Sequence, residues 1–189
     1  MPRPRLHSDE AILDAAQRVL LRSGPAQFTL SDVAQEIGIS RAALIQRFTD
    51  RATLHVKVME RNTQEVRDYF AAAPKEAGLD ALWTMLKDLI GGMGEGDGFA
   101  GYLLLEWSDV TDPALNALAQ ERNRLVRGAI LERLPDEGHA PEDAASLVQA
   151  VIQGATLQWL IEKSGTLNGF VIDQTRRCLA ALYPHHRFD

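Results

Sequence analysis

Cysteine occurs once in the 189 residues, at Cys178. Neither an internal disulfide nor a thiolate cage for zinc can form within the chain, and a reducing compartment suits it. Long apolar runs are also missing: stretches such as Tyr102–Leu105 fall far short of the roughly 20 residues needed to cross a bilayer, so no membrane span is expected. The start of the chain, Met1 to Ser8 followed by Asp9 and Glu10, lacks the apolar centre and small-residue cleavage site of a secretory signal. A cytoplasmic protein is expected. Neither sustained period-two alternation nor an Asn-Gly or Asp-Gly hairpin between β-rich runs occurs, which excludes a β architecture. What remains is a 46% hydrophobic share, enough to fill a sizeable core and to exclude disorder of the whole chain.

Charge is unevenly distributed. The net charge is −6, but residues 1–61 carry nine Lys/Arg against seven Asp/Glu and residues 62–189 carry eleven against nineteen. A mildly basic N-terminal part and an acidic body suit different partners. Lysines number four and arginines sixteen, so the basic groups are mostly planar, bidentate donors.

Hydrophobic spacing is helical nearly throughout, and the expected fold is all-α. A first helix starts after Ser8 as N-cap and stops at Gly24-Pro25. Thr29 caps the next helix, with Asp32 three residues on and Phe28 and Val33 placed as a hydrophobic staple; Gly38 ends it. Ser40 caps a third short helix, Arg41 to Phe48. Further helices are expected over Leu54 to Ala73, Leu79 to Ile90, Phe99 to Ser108, Pro113 to Leu134, Pro141 to Lys163 and Phe170 to Leu182. The glycine-rich segment Gly91 to Gly98 reads as a flexible break. The expected domains are 1–53 and 54–189.

Two short helices joined by a tight glycine turn can brace the DNA backbone with one helix and place the other in the major groove. Val33, Ile37, Ile39, Leu44 and Phe48 supply a small core, and Gly38 supplies the turn. The stretch from Phe28 to Leu54, within residues 10 to 56, resembles the helix-turn-helix of the TetR family of bacterial repressors. Beyond residue 60 the resemblance is one of architecture, with Leu147 to Leu160 and the following helix similar to that family's dimerising pair. The resemblance implies a three-helix DNA-binding domain and a helical body for ligand binding and dimerisation; from the residues themselves no catalysis is expected.

On the DNA face the chain departs from the family: Ile45 stands where a phosphate-touching tyrosine is usual, and Ala43 where Thr or Ser is usual. The candidate DNA contacts are Thr29, Ser40, Arg41, Ala42, Gln46, Arg47 and Arg51. Arg41 and Gln46 have the donor patterns that read guanine and adenine; the resemblance gives Arg51 a phosphate role, and Arg47 is a further phosphate candidate. Arg3 and Arg5 either reach a minor groove as an arm or form a loose tail.

For a ligand, Glu106 sits in an apolar helical stripe with Phe99, Tyr102, Leu103, Trp107 and Val110. An unpaired carboxylate there is costly, so it meets either a ligand cation or Arg122. Trp83, Met93, Phe99, Tyr102 and Trp107 either wall an effector cavity, as the resemblance implies, or are core residues. The Gly96 to Gly101 match to GxGxxG follows a helix and carries Asp97, which argues against phosphate binding. His139, His185 and His186 lack metal-ligand spacing, and Cys178 lacks a nearby His, so neither metal, cofactor nor nucleophile is expected.

The expected function is a ligand-responsive transcriptional regulator, a repressor that holds a palindromic double-stranded DNA operator as a homodimer and leaves it when a small-molecule effector shifts the long helix beginning at Leu54. The alternative is a helical binding or interaction module with a decayed DNA-reading surface.

Overall fold

The computed structural model describes residues 7–136 and 138–189. Among them the chain forms nine helices: α1 (Asp9–Gln27), α2 (Leu30–Ile37), α3 (Arg41–Phe48), α4 (Arg51–Ala72), α5 (Leu79–Gly91), α6 (Phe99–Thr111), α7 (Pro113–Leu131), α8 (Pro141–Glu162) and α9 (Leu167–Leu182).

Local chemistry explains most boundaries. Ser8 accepts from the Ala11 amide at 3.1 Å, Thr29 from Asp32 at 3.2 Å and Ser40 from Ala43 at 3.2 Å. Each satisfies an amide that a helix start leaves without an internal partner. Gly38 is left-handed at φ 73°, and its successor's amide returns to Ala34 O at 3.0 Å. Phe28 and Val33 are both buried in one core cluster, as a staple requires.

Several expected boundaries are corrected. The first helix breaks at Gly24-Pro25 as expected, Gly24 leaving the helical region at φ 73°, ψ 160°; what is added is a further helical turn, counted with α1, through Pro25 to Gln27. Proline suits that restart because its missing N–H has no helical partner there. α4 begins at Arg51 rather than Leu54, because Asp50 accepts from the Thr53 amide at 2.7 Å. α6 runs to Thr111. α7 ends at Leu131, where buried Arg133 donates back to Ala129 O at 2.7 Å and to Pro74 O. α9 begins at Leu167, capped by Thr166.

The chain divides into two compact units that are not the linear halves 1–53 and 54–189. One comprises residues up to Glu65 together with Gly98–Glu121; the other comprises Val66–Asp97 and Arg122–Asp189. In the first unit α6 lies along α1 and contributes Leu105 to the cluster built from Ile12, Val19, Leu20, Phe28, Val33, Leu44, Leu54 and Val58. A Cβ on Gly101 would stand 1.7 Å from the Leu21 carbonyl oxygen, so only glycine permits this crossing. Arg61 on α4 donates to Asp14 Oδ1 at 2.7 Å and Gln17 Oε1 at 2.6 Å, tying α4 to α1.

In the second unit α8 packs on α9, and α9 on α5. The glycine-rich segment is anchored rather than free: Glu95 O and Gly94 O accept from the amides of Leu167 and Asn168 at 3.0 and 3.2 Å. A Cβ on Gly96 would overlap the Trp159 ring.

α8 is an exception to the expectation drawn from run length. Its 22 residues include an 18-residue window of mean hydropathy 1.3, long and apolar enough to cross a membrane; Gln149, Gln153 and Gln158 interrupt its runs and hid this. Ala144, Val148, Ile152, Ala155 and Trp159 are buried as core, while Leu147, Leu157 and Ile161 are exposed.

Two glycine substitutions separate the effects in thermal unfolding. Gly38→Ala, with open space at its Cβ, is expected to lose about 1–2 kcal/mol through its left-handed backbone alone. Gly101→Ala is expected to lose roughly 3 kcal/mol or more, because the α6 backbone must lift from α1.

Candidate nucleic-acid interface

α3 presents two faces. Leu44 and Phe48 are buried, while Arg41, Ala42, Ile45 and Gln46, spaced as neighbours on a helix, are exposed. Arg41 and Gln46 thus stand on the outward face, as the sequence predicts. Ala42 lies between them, Ile45 is 38% exposed, and Ala43 is half-buried. Thr29 and Ser40 are exposed at the starts of α2 and α3, and both use their hydroxyls as caps. Arg3 and Arg5 lie outside the described residues.

The two candidate phosphate ligands are engaged within the protein. Arg47 is half-buried; its Nη1 donates to His7 O at 2.8 Å and stands 3.4 Å from Asp9 Oδ1. Arg51 Nη1 donates to Pro25 O at 3.2 Å and Phe28 O at 3.4 Å, bridging the α1–α2 joint.

The neighbouring basic groups behave alike. Arg18 and Arg22 hold Glu36 at 3.2 and 3.1 Å, and these bonds keep its carboxyl below the usual carboxylate range. Lys57 pairs with Glu60 at 2.6 Å, and Arg61 with Asp14. Among the described residues of the first unit, Arg41 is the basic side chain without an internal partner. The basic surplus in the sequence therefore acts mostly as internal fastening. The cation left open to an anion or a base edge lies on the exposed face of α3.

This pattern coincides with the comparisons. Residues 12–57 match the family described as "Bacterial regulatory proteins, tetR family". Over that stretch the chain is similar to the family's helix-turn-helix domain. A probable HTH-type transcriptional regulator, ArpR of Pseudomonas putida, is 35% identical over 80 residues, a match spanning 42% of this chain and 38% of that one. The fold continues through the body. The SmeT–triclosan complex superimposes with a TM-score of 0.72 at 20% identity over 91% of this chain and 90% of that one. The multidrug binding protein EbrR complexed with malachite green gives 0.66 at 24% identity over 89% and 96%.

The candidate ligand residues are divided between the units. Phe99 and Tyr102 stack at 5.1 Å on α6, and Glu106 and Trp107 are exposed on the same helix. Trp83, Met93 and Arg122 belong to the other unit. There the Trp83 Nε1–H donates to Asp189 O at 2.6 Å, and its ring meets Phe188 edge-on at 6.0 Å.

Sequence reasoning passed over His55, which lies within the matched stretch. It follows Leu54 in the apolar stripe of α4, which was the available signal. His55 is buried, its ring lies 6.2 Å from Phe28, and its Nε2 has no hydrogen-bond partner among the described residues. Burial pushes the imidazole below its ordinary value of 6.5; Asp112 opposes this and Arg51 adds to it.

The neutral imidazole has a measurable consequence. As pH falls through 6.5, the unfolded chain takes up a proton that the folded chain still refuses, so stability is full above that value and declines below it. Urea midpoints recorded from pH 7.5 downward are expected to fall, and His55→Gln to flatten the decline between that value and the folded pKa.

Proposed function

We propose that this chain is a ligand-responsive transcriptional regulator, a repressor that binds a near-palindromic operator as a homodimer and is released by a small molecule. The observation that carries the reading is that Arg41 and Gln46 are both exposed on α3, with the neighbouring basic groups committed elsewhere. Arg41 reads guanine and Gln46 adenine, while Thr29, Ser40, Ala42 and the helix starts approach phosphates. Arg47 and Arg51 hold α3 and the α1–α2 joint in place and reach phosphate through their remaining donors. Such a protein works beside the chromosome, in the cytoplasm, and its role requires no catalysis.

The homodimer rests on α8. Leu147, Leu157 and Ile161 are 46%, 47% and 79% exposed, and with Ala150 and Gly154 they repeat at three and four residues, forming an apolar seam open to a second copy. Two recognition helices related by that two-fold axis meet half-sites about 34 Å apart. The effector reading draws on the solved neighbours that hold malachite green and triclosan, both aromatic. Trp83, Met93, Phe99, Tyr102, Glu106, Trp107 and Arg122 are the candidates for such a ligand here.

Selection against a random duplex pool, followed by a salt series on the winning sequence, tests the reading. A palindrome with a steep loss of affinity in salt is expected, because each neutralised phosphate releases counterions. No enrichment at low salt would instead favour a binding module whose DNA surface, with Ile45 and Ala43, has decayed. Arg41→Ala is expected to weaken operator binding by about 10- to 100-fold and relax preference at one base position, read by competition between operator variants. Ile161→Glu is expected to shift sedimentation from dimer to monomer and abolish tight operator binding.

A further inference from the structure

The first four helices draw their large apolar side chains inward. Leu44 and Phe48 of α3 enter the cluster shared with α1, α2 and α4, and Ile37 and Ile39, on either side of the Gly38 turn, pack against it. Ile45 does neither. It is 38% exposed, and among the described residues of α1 to α4 it is the large apolar side chain left open.

Neither packing nor helix formation accounts for that residue. A β-branched side chain loses rotamer freedom in a helix and forms one less readily than alanine or a straight-chain residue, and α3 has only eight residues over which to offset the loss. Singly exposed apolar residues are common on protein surfaces, so the position of Ile45 on α3 is what gives it meaning.

That position is set by helix geometry. At 3.6 residues per turn, Ile45 lies about 40° round the axis from Arg41, Ala42 about 100° and Gln46 about 140°. All four are exposed, so Ile45 and Ala42 fall between the two polar side chains. Ile45 is one turn on from Arg41, a spacing that sets Cβ atoms about 5–6 Å apart. Ala42 carries a single methyl and leaves the larger side chain uncovered.

A major groove offers an isoleucine in that place one apolar group, the C5-methyl of thymine; the other base edges present hydrogen-bond donors and acceptors. Against those edges Ile45 would displace water and return no hydrogen bond. Against the methyl, both partners leave water at no polar cost. Ile45 has no charge or side-chain donor for a phosphate. Successive bases on one strand are about 3.4 Å apart, so its methyl partner lies within two steps of the base met by Arg41.

We infer that Ile45 is a specificity-determining residue that reads a thymine methyl group, one or two base steps from the guanine read by Arg41. This role rests on the operator binding proposed above and specifies which pyrimidine the operator carries and where.

The test replaces thymine by deoxyuridine, which deletes the methyl and keeps every hydrogen-bonding group, in the duplex that the full-length protein selects from a random pool. Competition binding is measured with each thymine replaced in turn, in both half-sites together. One position, within two steps of the base whose preference Arg41→Ala relaxes, is expected to lose about fourfold per half-site, roughly 15-fold in all, from about 0.8 kcal/mol per buried carbon. Ile45→Ala is expected to abolish this difference between thymine and uracil, and Ile45→Val to keep most of it. The uracil series leaves the protein unaltered, so a folding defect cannot produce its result, and the urea midpoint of Ile45→Ala is expected to match the parent. Uracil tolerated at every thymine, while Arg41→Ala still relaxes one base, would overturn the role of Ile45 and leave operator binding standing. A thymine preference that survives Ile45→Ala would overturn it as well, by assigning the methyl to another residue. No enrichment of any duplex at low salt would overturn both together.

Discussion

Backbone contact between α1 and α6 at Gly101 is the constraint on which the first unit depends. No side chain larger than hydrogen fits between α6 and the Leu21 carbonyl. The two helices approach closely enough for Leu105 to enter the cluster formed by the first four helices. Without that approach Leu104 would not sit over Gly24, and Trp107 would not face the start of α4. A helix distant in sequence thereby becomes part of the body that carries α3. Packed interiors deform little before they rearrange, so a displacement of α6 is transmitted to α1 and the joint before α2 rather than absorbed locally.

Electrostatics serve the same assembly. Arg18 and Arg22 join α1 to Glu36 of α2, Arg47 joins α3 to the start of α1, and Arg61 joins α4 to α1. Exposed pairs are individually weak, typically about 0.2–1 kcal/mol, so their value lies in number and direction: they fix how four helices meet. Leaving Arg41 outside this set concentrates readable positive charge on one helix face, although the net charge of the chain is −6. Distribution, rather than the sum, makes an acidic protein compatible with DNA.

The helix-turn-helix was legible because its signals are local. Caps at Ser8, Thr29 and Ser40, the turn at Gly38 and the exposure of Arg41 and Gln46 depend on residues within one turn of each other. The inward commitment of Arg47 and Arg51 was not legible. Their partners are carbonyls and a carboxylate of α1 and the α1–α2 joint, brought near only by folding. The kink at Gly24-Pro25 reads in sequence as a stop, since nothing local shows that Pro25 opens another turn. Periodicity likewise shows that α6 has an apolar stripe, but not that Leu105 joins the N-terminal core while Trp107 stays exposed.

The amino-acid sequence by itself determined the all-helical architecture, most helix starts and the exposed face of α3, because these follow from hydrogen-bond needs and side-chain spacing along a single helix. Tertiary structure decided which helices form one body, which arginines remain open, and that the His55 Nε2 is buried without a hydrogen-bond partner among the described residues. Those outcomes depend on approach between segments tens of residues apart, where a single missing Cβ at Gly101 sets the distance and local pattern carries no information about the partner.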